Sequence, residues 1–172
     1  MAERLVALDL SSVCVGYAVF DDRKLVGKGK YRQQGKDHGE KLLNFRGWLL
    51  RLLKRTHPQH VVFEAPYAGR RRFTYGVLML YVGVVLACHF EVFEQEVPAQ
   101  NRIQPNVVKR TLKMAKGDDH EDRKRLMVDE INKLYDLKLR FKPNDKTKAV
   151  SDDDIADAIA VGRTWLERYS HE

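Results

Sequence analysis

The sequence predicts an α/β domain: a five-stranded mixed sheet, three antiparallel strands then two parallel ones, flanked by helices. Three observations carry this. Short apolar segments joined by tight turns open the chain. Amphipathic stretches of helical period then alternate with β-branched runs. Those helical stretches fall between the later strands, where a crossover makes the strands parallel to the first.

Taken in order, residues 5–10 form a short apolar strand, and Ser11-Ser12 is a turn signal. Residues 13–20 read as a second strand with Gly16 inside it, and Asp21-Asp22 turns the chain into a third over 25–31. Leu42, Phe45, Leu49 and Leu52 share one helical face, so 40–55 is a helix. Residues 60–65, β-branched and aromatic, read as a buried fourth strand. The spacing predicts a helix over 73–90, and the alternation of apolar and acidic residues over 91–97 predicts the fifth strand. Pro105 suits the first turn of a helix reaching Met114. Amphipathic helices over 121–135 and 152–169 complete the chain.

At 172 residues the whole chain, 1–172, reads as one domain able to bury a core without disulfides. A net charge of +7 and a pI near 9.4 favour an anionic partner, nucleic acid above all. Cys14 and Cys88 lie in apolar runs without metal-ligand spacing and read as buried free thiols in a reducing compartment. The N-terminus has no signal-peptide organisation. The apolar run that begins at Val77 and closes at Ala87 has eleven residues, too few to span a bilayer. The expectation is a soluble cytoplasmic protein without membrane association, in the host cytoplasm if the source is viral.

Four carboxylates stand out. Asp9 and Glu64 each end a strand, and parallel pairing would bring those ends together. Asp154 and Asp157, three residues apart, share a helix face. Crowding four acids is costly unless cations neutralise them, and hard divalent cations prefer oxygen ligands. Two such ions can stabilise both the attacking and the leaving oxygen of a phosphodiester. A competing explanation covers part of this set: Ser151-x-x-Asp154 also fits a capping box, and acids favour helix N-termini.

The segment Asp9-Leu10-Ser11-Ser12-Val13-Cys14-Val15-Gly16-Tyr17-Ala18 resembles the first motif of the RuvC-type Holliday junction resolvases, within the ribonuclease-H-like superfamily. Val61-Val62-Phe63-Glu64 is similar to their second motif, and Asp153-Asp154-Ile155-Ala156-Asp157-Ala158-Ile159-Ala160 to their last, in family order. The resemblance implies a ribonuclease-H-like fold. It makes Asp9, Glu64, Asp154 and Asp157 the ligands of two Mg²⁺ ions, with Mn²⁺ as a substitute. It implies symmetric paired nicking of four-way DNA junctions by a metal-activated water, leaving 5′-phosphate and 3′-hydroxyl ends. Lys109 matches the basic residue beside the scissile phosphate. The second lysine is assigned to Lys124, although the loop before it is longer than the family's. Tyr67 follows Glu64 where resolvases carry a crossover aromatic, but Pro66 beside it departs from the pattern. Arg70, Arg71 and Arg72 suit phosphate contact, and Arg110, Lys113 and Lys116 extend the candidate DNA-binding set. The family works as two-fold dimers, and the apolar helix with Gly76 and Gly83 on one side is the expected interface.

Other readings weigh against this one. A flap or branched-DNA nuclease, or a ribonuclease H, would use the same acids. A non-catalytic DNA-binding module would be expected to lose one or more of them, and all four are present. A kinase-like domain would need a duplicated half and phosphate-binding glycines, which the chain lacks.

Overall fold

The computed structural model describes residues 3–67, 72–113 and 119–170. Strands β1 (Arg4–Asp9), β2 (Cys14–Asp21) and β3 (Lys24–Arg32) form the antiparallel meander. The Ser11 hydroxyl fixes the first turn by accepting from the Val13 amide at 3.2 Å. In the second turn Asp22 takes the left-handed conformation (φ 51°) that Asp tolerates well. Helix α1 (His38–Thr56) starts where the Asp37 carboxylate accepts from the Glu40 amide at 2.8 Å. It returns the chain to β4 (His60–Glu64), which runs parallel to β1 with Leu8 opposite Phe63.

Helix α2 (Arg72–Phe93) leads to β5 (Arg102–Ile103), and α3 (Pro105–Thr111), α4 (His120–Tyr135) and α5 (Asp153–Tyr169) follow. The strand order is β3-β2-β1-β4-β5, with β1/β4 and β4/β5 parallel. Strand periodicity divides the core between two faces. Val6, Leu8, Val61 and Phe63 pack against Phe45 and Leu49 of α1 and Tyr81 and Val85 of α2. Leu5, Ala7, Ala18 and Phe20 pack against Ile131 of α4 and Ile159 and Trp165 of α5. Each large side chain buried this way contributes about 1.5–3 kcal/mol. Burial on both faces is why β1 and β4 are continuously apolar.

Two sequence expectations are corrected. The fifth strand is not at 91–97. Once α2 is under way each further residue adds a hydrogen bond without a new nucleation cost. The helix therefore runs to Phe93, then stops at Glu94 in the left-handed conformation (φ 55°). The strand forms instead at Arg102–Ile103, held beside β4 by Asn101. Asn101 Nδ2 donates to the Val61 carbonyl at 3.1 Å, and its Oδ1 accepts from Trp165 Nε1 at 3.0 Å. The eleven-residue apolar run 77–87, read as too short to span a bilayer, lies within a longer apolar helix: the stretch Phe73–Phe93 is long and apolar enough to cross a membrane by length and composition. Here Tyr81, Val82, Val85 and Cys88 bury one side of it against α1 and the sheet. Gly76, Met79, Leu80, Gly83, Ala87 and Phe90 face outward, at i, i+3, i+4 and i+7 spacing that makes a continuous stripe.

Helix α5 lies directly on the sheet because two glycines admit it. A Cβ at Gly16 would stand 1.8 Å from the Asp154 carbonyl oxygen, and one at Gly162 would meet Phe20 at 2.4 Å. Replacing Gly16 with Ala must therefore push the first turn of α5 off β2, at a cost of about 3 kcal/mol. Denaturant unfolding of Gly16→Ala reads this as a lowered midpoint, and an unchanged midpoint would show that the helix does not need the contact.

Candidate active site

Asp9 is the last residue of β1, and its antiparallel partner is Gly16. Glu64 is the last residue of β4, one step beyond the Leu8–Phe63 pair. Because Gly16 abuts the Asp154 backbone, the first turns of α5 come down beside Asp9. Backbone geometry alone thus collects Asp9, Glu64, Asp154 and Asp157 at one end of the sheet.

Their electrostatics register the crowding. Asp9 is held well above the usual carboxylate range, by burial first and then by the charges of Asp157, Asp154 and Glu64. Asp157 is raised by burial and by Glu64. Burial pushes Glu64 up to about 7. Asp154 is raised chiefly by burial, and its Oδ2 is enclosed without a hydrogen-bond partner. Among the described residues no three His, Cys, Asp or Glu side chains converge at metal-ligand spacing. The four acids are neighbours at electrostatic range rather than a closed ligand shell.

Both assigned lysines border the cluster. Lys109 on α3 opposes the shift of Glu64, and Lys124 on α4 opposes those of Asp9 and Asp157. Arg110 and Lys113 are exposed beside Lys109, without ion pairs among the described residues. Tyr67 is 77% exposed three residues beyond Glu64. Arg70, Arg71 and Lys116 lie outside the described residues, as does the side chain of Arg72, with which α2 begins.

Sequence reasoning missed Asp153 and Lys148. Asp153 is 1% exposed, and its Oδ2 accepts from Lys124 Nζ at 2.5 Å and also from Lys148 Nζ. Lys148 reaches on to Asp154, with Nζ 3.6 Å from Oδ1. Burial works to raise Asp153, but hydrogen bonds from Lys124, Lys148 and Ser151 outweigh it and hold the carboxyl far below the usual range. No motif marks Lys148, which sits in a polar loop with left-handed backbone (φ 54°). The only signal was an acidic run longer than helix capping needs.

The capping-box explanation of Asp154 fails. The Ser151 hydroxyl accepts from the Lys142 amide at 3.3 Å, and Asp152, the N-cap of α5, makes no side-chain capping hydrogen bond. Asp152 instead pairs with Lys30 at 3.0 Å, tying the loop before α5 to β3. Cys14 and Cys88 are buried free thiols, and Cys14 is pushed up to about 12 by burial and then by the adjoining Asp154.

No protein-family model and no curated protein matches the chain. Solved structures do. Thermus thermophilus RuvC in complex with a Holliday junction substrate aligns at TM-score 0.69 and 19% identity, over 96% of this chain and 95% of that one. A second structure of RuvC from the same organism aligns at TM-score 0.69 and 19% identity, over 97% of this chain and 96% of that one. The yeast mitochondrial Holliday junction resolvase Ydc2 aligns at TM-score 0.62 and 13% identity, over 98% of this chain and 82% of that one. At these identities the likeness is one of fold: the chain has the five-stranded ribonuclease-H-like architecture of RuvC.

Two expectations follow. Glu64 binds its proton more tightly folded than unfolded, and Asp157 does so too. Their stabilising contribution is complete below the unfolded values, 4.5 for Glu64 and 3.8 for Asp157, and is lost as pH rises from there through about 7. Without divalent cations, stability should fall over that window. Glu64→Gln and Asp157→Asn should flatten the fall and raise the melting temperature at pH 7.5 by about 2 °C or more; calorimetry with chelator checks both. Separately, Asp153→Asn strands two lysines and should lower unfolding free energy by about 3 kcal/mol. An unaltered denaturation midpoint would show the Lys124–Asp153–Lys148 cluster to be dispensable.

Proposed function

We propose that this chain is a divalent-metal-dependent endonuclease that resolves four-way DNA junctions by paired, symmetric nicking, leaving 5′-phosphate and 3′-hydroxyl ends. What supports the reading is one observation: four carboxylates from β1, β4 and α5 crowd together, bordered by two lysines, on a RuvC-like fold. The solved RuvC with the same architecture is bound to a Holliday junction substrate.

The donor set suits Mg²⁺ or Mn²⁺. It is all oxygen, it carries mutually repelling charge, and the Asp154 Oδ2 is enclosed and unsatisfied. Asp9, Glu64, Asp154 and Asp157 would hold two ions. When bound, such ions supply a nucleophilic water near neutral pH and neutralise charge on the phosphate.

The remaining work falls to the chain's own groups. Lys109, next to Glu64, and Lys124, facing Asp9 and Asp157, are cations that would meet phosphate charge as it builds up in the transition state. Lys124 is pre-positioned by Asp153 rather than left free in solvent. The exposed Tyr67 ring is suited to stack on an unpaired base at a crossover, worth about 1–3 kcal/mol. Arg70, Arg71, Arg72, Arg110, Lys113 and Lys116 would add phosphate contacts that make binding salt-dependent. Two copies joined through the outward stripe of α2 would give opposed sites by two-fold symmetry. Action in the cytoplasm belongs to the same reading.

An immobile four-way junction with Mg²⁺ tests this directly. Paired nicks at symmetric positions are expected, with cleavage lost in Asp9→Asn while junction binding stays within a few-fold. A panel of flap, fork and RNA–DNA hybrid substrates measures selectivity. Full cleavage by Asp9→Asn would remove the catalytic assignment.

A further inference from the structure

Beyond the Asp153 cluster lies a pocket of about 190 Å³ between the start of α4 and the loop that precedes α5. Its lysines are Lys124, Lys142, Lys146 and Lys148, and His120 joins them. The acids that face it are already engaged. Asp145 accepts the Val150 and Ser151 amides at 2.8 Å each, together with the Thr147 hydroxyl. Glu121 accepts the Asn144 amide at 3.0 Å, and Asp153 is covered by Lys124 and Lys148. Among the described residues neither Lys142 nor Lys146 has a carboxylate within ion-pair distance. The four lysines outnumber the three carboxylates of the lining and leave the pocket net positive, a field that also pushes His120 down, after burial, through Lys124, Arg123 and Lys148.

The geometry points to a phosphate-binding subsite here, taking a phosphodiester of the same DNA strand whose neighbouring phosphate lies at the four carboxylates. Two walls are shared between the sites. Lys124 faces Asp9 and Asp157 on one side and lines the pocket on the other. Lys148 contacts Asp154 and lines the pocket too. A strand laid across the carboxylates thus passes directly onto the pocket.

The size limits the occupant. Drug-sized ligands need about 300–1,000 Å³, so this space suits a phosphate with part of its sugar and excludes a stacked nucleoside. The donors are lysine ammoniums, point charges that hold a phosphate without reading a base. The subsite would fix the register of the strand, not its sequence. This inference rests on the nuclease reading above and extends it to residues outside the catalytic set.

The test uses the exposed pair, Lys142→Gln with Lys146→Gln, and the charge reversal Lys142→Glu with Lys146→Glu. Junction binding is measured in chelator across a KCl series, and cleavage with Mg²⁺ at saturating DNA. The Gln pair should weaken binding about 5- to 20-fold and reduce the slope of log K against log salt by about 1, the reversal more so, with cleavage at saturation unchanged. Affinity and slope equal to the unaltered protein would overturn the subsite. So would inorganic phosphate shifting the Lys142 and Lys146 amide resonances while the variants bind DNA normally, which would assign the pocket to a free anion. Failure of the unaltered protein to bind or cut any DNA would instead remove the nuclease reading, and the subsite with it.

Discussion

The contact on which the arrangement depends is backbone against backbone, where the first turn of α5 rests on Gly16. Gly16 is also the cross-strand partner of Asp9. A single residue without a side chain thus sets the distance between the end of β1 and the start of α5. Parallel pairing of β4 with β1 then brings Glu64 alongside. Close packing has little tolerance for a misplaced atom, so the acids are held by rigid elements rather than by mobile loops. The second glycine, Gly162, extends the same approach along the helix to Ala7 and Phe20.

Gathering four acids in a half-buried site raises their proton affinity, and the fold offsets part of that with neighbouring cations. Lys109 acts on Glu64 and Lys124 on Asp9 and Asp157. Asp153 differs from its neighbours. It stays ionised because two lysines meet it, so it organises cations rather than competing for them. Charge is graded across the first turns of α5: Asp152 turned toward Lys30, Asp153 toward the lysines, and Asp154 and Asp157 toward the cluster.

Much of this was legible in the sequence, for a physical reason. Strands buried on both faces leave unbroken apolar runs, and an acid closing such a run stands out, as Asp9 and Glu64 do. The i, i+3 pair on α5 was equally visible. The fifth strand was not, because its position follows from a long-range bridge, Val61 to Asn101 to Trp165, and not from local alternation. Lys148 was hidden likewise. Its place depends on a loop whose course is set by Asp145 and Ser151 accepting backbone amides. The Ser151-x-x-Asp154 spacing suggested a cap, yet tertiary bonds drew Ser151 elsewhere. Helix α2, expected over 73–90, runs on to Phe93, an extension hidden because the alternation of apolar and acidic residues from 91 onward reads as strand.

Chain order has a temporal consequence. Domains begin to form from the N-terminus as they leave the ribosome, at about 5–20 residues per second. The meander and β4 emerge with only half of the acidic set, since α5 carries the rest and follows every other element. Until it docks, β1 and β2 present one apolar face uncovered and no complete centre. The four-carboxylate site therefore comes together only when α5 docks, so a nascent chain lacks it until that helix is in place.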